Sequence, residues 1–522
     1  MVVKTLIRNG EYHDSVSLML IAKELRQMVG VVDAAVIMAT EANKDFLRNA
    51  GMENDEVKLA SPNDLVICIK GEAVDINKAL SEAERLLSVK QAAQAIGGGI
   101  SYRSKTLRAV AKANPNSNMA VISVAGKYAF DEAWEALHLG LHVLLFSDNV
   151  SIEHEVLLKE YAHDHGLLLM GPGAGTAIIN GVSLGFANVV PKGPVGIVSA
   201  AGTGLQEVST ILAKHGVGIS QGIGTGGRDL KMEVGGIMML DGIEALQGDD
   251  ATKVIVLISK PPDPVVASKI MKQLIKNVKP SVICFLGSEW SVVNKSPSVF
   301  PVSTLKDAAI VAVQLSRGEE VKLANQFTNN YIEFIERFFL TIKRLKPDQR
   351  YLRALYSGGT LAYEAQVIWK EIVVDKVYSN VPLIIEDKLP DSYKSIGHTI
   401  IDLGEEEFTV GRPHPMIEND LRIRRLIQEA NDPEVALILF DVVIGYGAHP
   451  DPASELVKAV NEARKIAQEN RREIVFIASV TGTEADPQKL SRQVKSLNEA
   501  GVFVCECNAD AARLAVKVIN RN

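Results

Sequence analysis

Residues 202–207 read Gly-Thr-Gly-Leu-Gln-Glu, and residues 359–364 read Gly-Thr-Leu-Ala-Tyr-Glu. Each hexad follows a short apolar run, Val195–Ser199 in the first case and Leu352–Tyr356 in the second. A strand that enters a helix through glycines aims free backbone N–H groups and the positive helix end at one spot, which suits phosphate or carboxylate. A single turn of this kind is usually only a connection. Its repetition, with threonine at the same offset, points to anion binding by Gly202, Thr203 and Gly204 from one side and by Gly358, Gly359 and Thr360 from the other.

Two further glycine loops stand where strands end. Gly171-Pro172-Gly173 follows the apolar run Leu167–Met170, at the strand end where a doubly wound sheet presents its ligand crevice. A plain crossover loop would look the same. Gly224, Thr225, Gly226 and Gly227 sit in a stretch with four glycines in six positions, which calls for close approach by another backbone or a ligand. Arg228 follows directly. It can hold a carboxylate or phosphate in bidentate fashion, or it can join Asp229 in capping the next helix. Lys260 and His449, in loops after two later apolar runs, and Asp441 are the titratable groups that could reach the same crevice. His398 and His414 read as structural. The four cysteines, Cys68, Cys284, Cys505 and Cys507, have no metal-binding spacing, so no metal site is expected.

These groups need a scaffold. With 522 residues the chain is too long for one core. It is 47% hydrophobic and 23% charged with net charge −7 and no basic stripe, which argues against nucleic acid or an anionic membrane as partner. Few cysteines, no signal-peptide core and no run of about 18 apolar residues predict a cytoplasmic protein.

Residues 1–95 alternate strand and helix, with strands at Lys4–Arg8, Val31–Met38 and Asp64–Lys70, and predict a small α+β domain. Gln91–Asn118 reads as a turn-rich linker. Uninterrupted apolar strands separated by amphipathic helices follow, predicting α/β layers with parallel sheets over 118–190, 193–317 and 351–522. The last two segments read as copies, joined by a helical connector over 318–350 in which Phe327, Tyr331, Phe334 and Phe338 share a face.

Residues 119–315 resemble the α subunit of succinyl-CoA synthetase and related NDP-forming acyl-CoA synthetases, through Gly171-Pro172, Val195–Ser199, Gly202-Thr203 and Gly222-Ile223-Gly224. The last segment is similar to the ligase domain of the β subunit. The full chain is similar to the FdrA family, through Phe146–Ser151, Gly224–Leu230, Ile258–Pro262 and Pro413–Ile417. The resemblance implies a Rossmann-like CoA-binding-type domain followed by two flavodoxin-like ligase domains. In the synthetases two helix N-termini hold a phosphorylated histidine. Here the corresponding stretch, Gly287–Lys295, contains no histidine, and no segment matches an ATP-binding module.

The resemblance therefore implies a subunit of a phosphate-dependent carbamoyl transferase. It would convert oxalurate and phosphate to oxamate and carbamoyl phosphate with further protein subunits and no cofactor. Arg228, Lys260 and His449 would serve catalysis, and the loops at Gly171, Gly173 and Gly224–Gly227 would hold substrate. The alternatives are an NDP-forming acyl-CoA synthetase that uses CoA and ATP, and a non-catalytic scaffold subunit.

Overall fold

The computed structural model describes residues 2–11, 13, 15–96, 106–288, 296–322, 332–409 and 412–519. They divide into two units: Met1–Lys105 with Glu405–His414, and Thr106–Gly404 with Pro415–Asn522.

The first unit contains β1 (Val2–Arg8), α1 (Ser15–Arg26), β2 (Val31–Met38), α2 (Glu41–Asn49), α3 (Asp55–Leu59), β3 (Leu65–Gly71) and α4 (Ala73–Ile96). The central strand β3 runs antiparallel to both neighbours, with Cys68 opposite Thr5 and Ala35. Alternation along a strand sends successive side chains to opposite faces. Val36, Ile67 and Ile69 therefore pack with Leu18, Leu25 and Ile76, while Ala35, Val66 and Cys68 pack with Leu47, Met52 and Val57.

The predicted linker is more ordered than its composition suggests. Helix α4 runs on to Ile96, and α5 (Leu107–Ala113) is capped by Thr106, whose hydroxyl accepts the Ala109 N–H. The rest of the predicted linker, 97–105, lies outside the described residues.

In the second unit, β4 (Met119–Ile122), α6 (Gly126–His138), β5 (His142–Leu145), α7 (Ile152–Asp164) and β6 (Leu169–Met170) form a three-stranded parallel sheet with its helices. A hairpin absent from the sequence reading follows: β7 (Thr176–Ile179) and β8 (Val182–Gly185). Its strands join the next sheet, because β7 pairs antiparallel with a later strand at Gly222.

That sheet is built from β9 (Lys192–Ser199), α8 (Gly202–Lys214), β10 (Ile219–Gly224), α9 (Ile237–Gly248), β11 (Val254–Ser259), α10 (Pro264–Lys276), β12 (Ser281–Phe285), β13 (Val299–Pro301) and α11 (Leu305–Ser316). Helix α12 (Ile332–Ile342) belongs to the connector. There Phe334 and Phe338 meet Phe503 edge-on, as their spacing predicts, while Phe327 and Tyr331 lie outside the described residues.

The last sheet comprises β14 (Tyr351–Tyr356), α13 (Gly359–Ile372), β15 (Val377–Ser379), β16 (His398–Asp402), α14 (Glu406–Thr409, grouped with the first unit), α15 (Asp420–Asn431), β17 (Val435–Val443), α16 (Pro452–Glu469), β18 (Val475–Thr481), α17 (Leu490–Glu499), β19 (Phe503–Cys505) and α18 (Asn508–Val516).

The parallel part of the first large sheet is ordered β10-β9-β11-β12-β13, and the second, parallel throughout, β15-β16-β14-β17-β18-β19. Counted from its first strand the first is 2-1-3-4-5, the flavodoxin-like doubly wound order, and the second is the same order with the short strand β15 added at its edge beyond β16. One apolar cluster runs through both halves, with Leu205, Val208 and Leu212 of α8, Ala308 and Ala312 of α11, Leu361 and Trp369 of α13, and Ala512 and Ala515 of α18. Among the described residues, no helix is long and apolar enough to cross a membrane.

Candidate functional site

The duplicated order brings the two glycine turns together. Helix α8 starts at Gly202 after β9, and α13 starts at Gly359 after β14; neither has a side-chain cap from its own N-cap residue. The Thr360 N–H donates to the Thr203 hydroxyl at 3.3 Å. A Cβ on Gly358 would lie 2.9 Å from Thr203 Cγ2, and one on Gly204 would lie 3.1 Å from Thr360 Cγ2. The turns are glycine-rich because the two helix ends abut.

They are not equivalent. The Asp441 carboxylate, at the end of β17, already sits on the second turn. It accepts the Ser357 N–H at 2.8 Å, the Gly358 N–H at 2.9 Å and the Ser357 hydroxyl at 2.9 Å. Arg422 of α15 balances it with Nη1 at 2.8 Å, and both side chains are at most 1% exposed. Asp402, at the end of β16, crowds Gly359. The expected seat at Gly358 is thus filled by the protein's own carboxylate. On the first turn, the N–H groups of Gly202, Thr203 and Gly204 have no acceptor among the described residues, as the first turn of a helix leaves them.

The two glycine loops also meet. A Cβ on Gly226 would fall 2.6 Å from the Pro172 carbonyl oxygen and 3.0 Å from Gly171 Cα, and one on Gly173 would fall 2.5 Å from an Asp148 carboxylate oxygen. The loops containing Gly171, Gly173, Gly224, Thr225 and Gly226 therefore pack backbone against backbone. Gly227 is the looser position, with the Ala200 carbonyl 3.9 Å from its Cβ direction.

Arg228, the expected clamp, is already engaged through Nη2. Its Nη2 lies 2.8 Å from Glu155 Oε2 and donates to the Val150 carbonyl at 2.7 Å. Glu155 and Lys159 are four residues apart on α7 and wholly buried; Lys159 Nζ reaches Glu155 at 2.8 Å, Asp229 at 2.9 Å and the Thr225 carbonyl at 3.0 Å. Asp229 accepts the Met238 and Met239 N–H groups at the start of α9. A buried carboxylate needs a cation, so Arg228 and Lys159 are spent on holding the glycine loop, and Asp229 caps the next helix.

His449 is also engaged. Its Nδ1 accepts the Asp451 N–H at 3.0 Å, and its Nε2 lies 3.3 Å from Glu455. These contacts serve the start of α16. The neighbouring loop at Gly445–Tyr446 pairs instead with the hairpin segment at Ala187. Lys260 keeps its ammonium 5.6 Å from the ring centroid of Tyr363 in the first turns of α13. The residues 289–295, in the stretch that lacks the synthetase histidine, lie outside the described residues.

The glutamates that close the two hexads have a role the sequence did not disclose. Glu207 of α8 accepts the Asn508 N–H at 2.8 Å, at the start of α18, and also the Thr481 hydroxyl. Glu364 of α13 accepts the Leu305 N–H at 2.7 Å, at the start of α11, and the Asn508 side-chain amide at 2.8 Å. Each half thus caps the last helix of the other.

Burial raises the Glu364 carboxyl to about 7, with the Asn508 and Leu305 donors opposing and the Glu207 charge adding to the rise. The folded chain holds this proton more tightly than the unfolded chain. The group's stabilising contribution is therefore full below the ordinary carboxylate range and is lost as pH rises toward 7. A shift of this size corresponds to roughly 3 kcal/mol. Urea unfolding at pH 5 and pH 8 should show this loss in the parent chain and a smaller one in Glu364→Gln.

Sequence models of known families match three parts of the chain. The heavy metal-associated domain of AllF matches residues 1–106, the CoA binding domain matches 191–287, and the CoA-ligase domain matches 355–518. The CoA-binding match thus falls on the first large sheet and not on 118–190. YahF of Escherichia coli is 44% identical over 520 residues, 99% of each chain. The α subunit of succinate–CoA ligase (ADP-forming) from Methanothermobacter thermautotrophicus is 31% identical over 147 residues, 27% of this chain and 48% of that subunit.

Among solved structures, the ATP citrate lyase of Methanothrix soehngenii aligns over 80% of this chain and 84% of its own, with 14% identity and a TM-score of 0.35. The acetyl-coenzyme A synthetase 1 of Ca. Korarchaeum cryptofilum aligns over 77% and 83%, with 15% identity and a TM-score of 0.31. With nearly its full length shared with YahF, and CoA-binding and CoA-ligase domains in its two duplicated halves, the chain belongs to the YahF family within the succinyl-CoA synthetase-like superfamily.

Proposed function

We propose that this chain is an acyl-transfer subunit of the CoA-ligase type, with the N-terminus of α8 as the seat for a phosphate or acyl phosphate. The observation that carries the reading is the asymmetry of the paired turns: Asp441 occupies the second, while the N–H groups of Gly202, Thr203 and Gly204 are unclaimed. Those N–H groups would donate to the phosphate oxygens. Lys260, beside Tyr363 of α13, would add a positive charge. The backbone near Gly227 would face the carbonyl whose oxygen gains charge. In this reading CoA and ATP are substrates, and the ATP-binding module comes from a partner subunit.

A second reading, phosphate-dependent carbamoyl transfer, is favoured by the absence of any histidine in Gly287–Lys295. Phosphate itself would attack the ureido carbonyl of oxalurate. The C–N bond would break, with the proton passing to the departing oxamate nitrogen and carbamoyl phosphate as the other product. This needs neither CoA nor ATP.

One assay separates the two. The chain, co-purified with its partner subunits, is given oxalurate and phosphate alone, and separately an acid with ATP and CoA. Thioester formation only in the second mixture supports ligation; carbamoyl phosphate in the first supports carbamoyl transfer. In whichever mixture turns over, Thr203→Val should raise KM for phosphate or the phosphorylated substrate about tenfold, equivalent to about 1.4 kcal/mol. Thr360→Val should have a smaller effect. An unchanged KM in Thr203→Val would remove the phosphate seat from α8.

A further inference from the structure

The family match over residues 1–106 carries a heavy-metal association in its description, and the residues present do not fit a metal. A heavy-metal site takes several nitrogen or sulfur ligands, with soft metals selecting thiolates. This segment has one cysteine, Cys68, and one histidine, His13.

Cys68 lies in the middle of the central strand β3, between its two neighbours, and is 0% exposed. Its sulfur is 3.3 Å from the Thr5 hydroxyl. Burial pushes its thiol up to about 11, away from the thiolate that a metal requires. Met52 shares its apolar cluster but offers only a neutral thioether.

His13 is committed elsewhere. Its Nε2 lies 2.9 Å from Glu11 Oε1, and the Arg8 guanidinium lies 3.6 Å from the other oxygen of the same carboxylate. A metal cation at Glu11 would meet that guanidinium. Arg8 also reaches Glu84 of α4 at 2.6 Å, so these charges fasten the end of β1 to the helix. Among the described residues, no group of three His, Cys, Asp or Glu side chains could hold a metal ion.

We infer that this N-terminal unit keeps the shape of a heavy metal-associated domain without its metal chemistry: Cys68 is a core residue and His13 is held by Glu11, beside the Arg8–Glu84 ion pair. The interior then prefers an apolar side chain of similar size at position 68.

The test uses the full chain and two variants, Cys68→Val and His13→Ala. Each is titrated anaerobically with Cu(I) and with Zn(II) against a chromogenic chelator, and metal content is measured directly. The expected result is no metal taken from the chelator, or an uptake identical in all three proteins, with Cys68→Val retaining the parent's circular dichroism. Uptake of one equivalent by the parent that is lost in Cys68→Val or His13→Ala would overturn the inference. Should Cys68→Val fail to fold, His13→Ala and alkylation accessibility of Cys68 in the native parent decide. Rapid alkylation would count against a buried core thiol, and protection would support it.

Discussion

Replacing Asp441 with alanine should cost about 3–5 kcal/mol of folding stability, the usual loss when one member of a buried ion pair is removed. The change strips Arg422 of its charge partner at a position 1% exposed and leaves the Ser357 and Gly358 N–H groups without their acceptor. Burial lowers the Arg422 pKa and the Asp441 charge opposes that fall, so the orphaned guanidinium is the largest cost. Urea unfolding of Asp441→Ala measures the loss. Pairing it with Arg422→Met in a double-mutant cycle should recover a coupling of about 2 kcal/mol or more. Additive losses would show that the carboxylate and guanidinium act independently. Asp441→Asn should be milder, because its amide oxygen can still accept one N–H.

Lys159→Met should be comparably severe, at about 3–5 kcal/mol, because it leaves two buried carboxylates with one cation between them. Glu155 keeps Arg228, but Asp229 loses its only ion-pair partner among the described residues while still capping α9. The Thr225 carbonyl loses its donor as well, so the glycine loop should loosen. Amide exchange at Thr225–Asp229 should accelerate more than exchange in β12. Uniform acceleration across the second unit would mean that Lys159 supports global stability alone and has no special hold on the loop.

The sequence made the scaffold readable because its periodicities were strong. The valine-rich run Val31–Met38 reads as a strand with the bounds that β2 has. The hairpin of β7 and β8 escaped because its strands are only four residues long and lie in a glycine-rich stretch. Helix α5 escaped behind an Asn-Pro-Asn-Ser-Asn tail that reads as linker.

The convergence of the two glycine turns was legible from repetition, since a duplicated order places equivalent turns symmetrically. Their inequality was not. It depends on Asp441 and Arg422, which are 84 and 65 positions away from Ser357 along the chain. The engagement of Arg228 was hidden for a related reason. An arginine beside glycines resembles an anion clamp, and only the fold brings Glu155 from another strand–helix unit to claim it.

The crossed capping by Glu207 and Glu364 has a consequence for the origin and assembly of the chain. Each half leans on the other: among the described residues, the leading N–H group of the first half's last helix is satisfied by the second half, and that of the second half's last helix by the first. Such reciprocity is what two separate polypeptides need to recognise each other. The chain therefore has the character of a heterodimer made permanent by fusion. Severed in the connector, its fragments should still find one another, and neither should fold well in isolation.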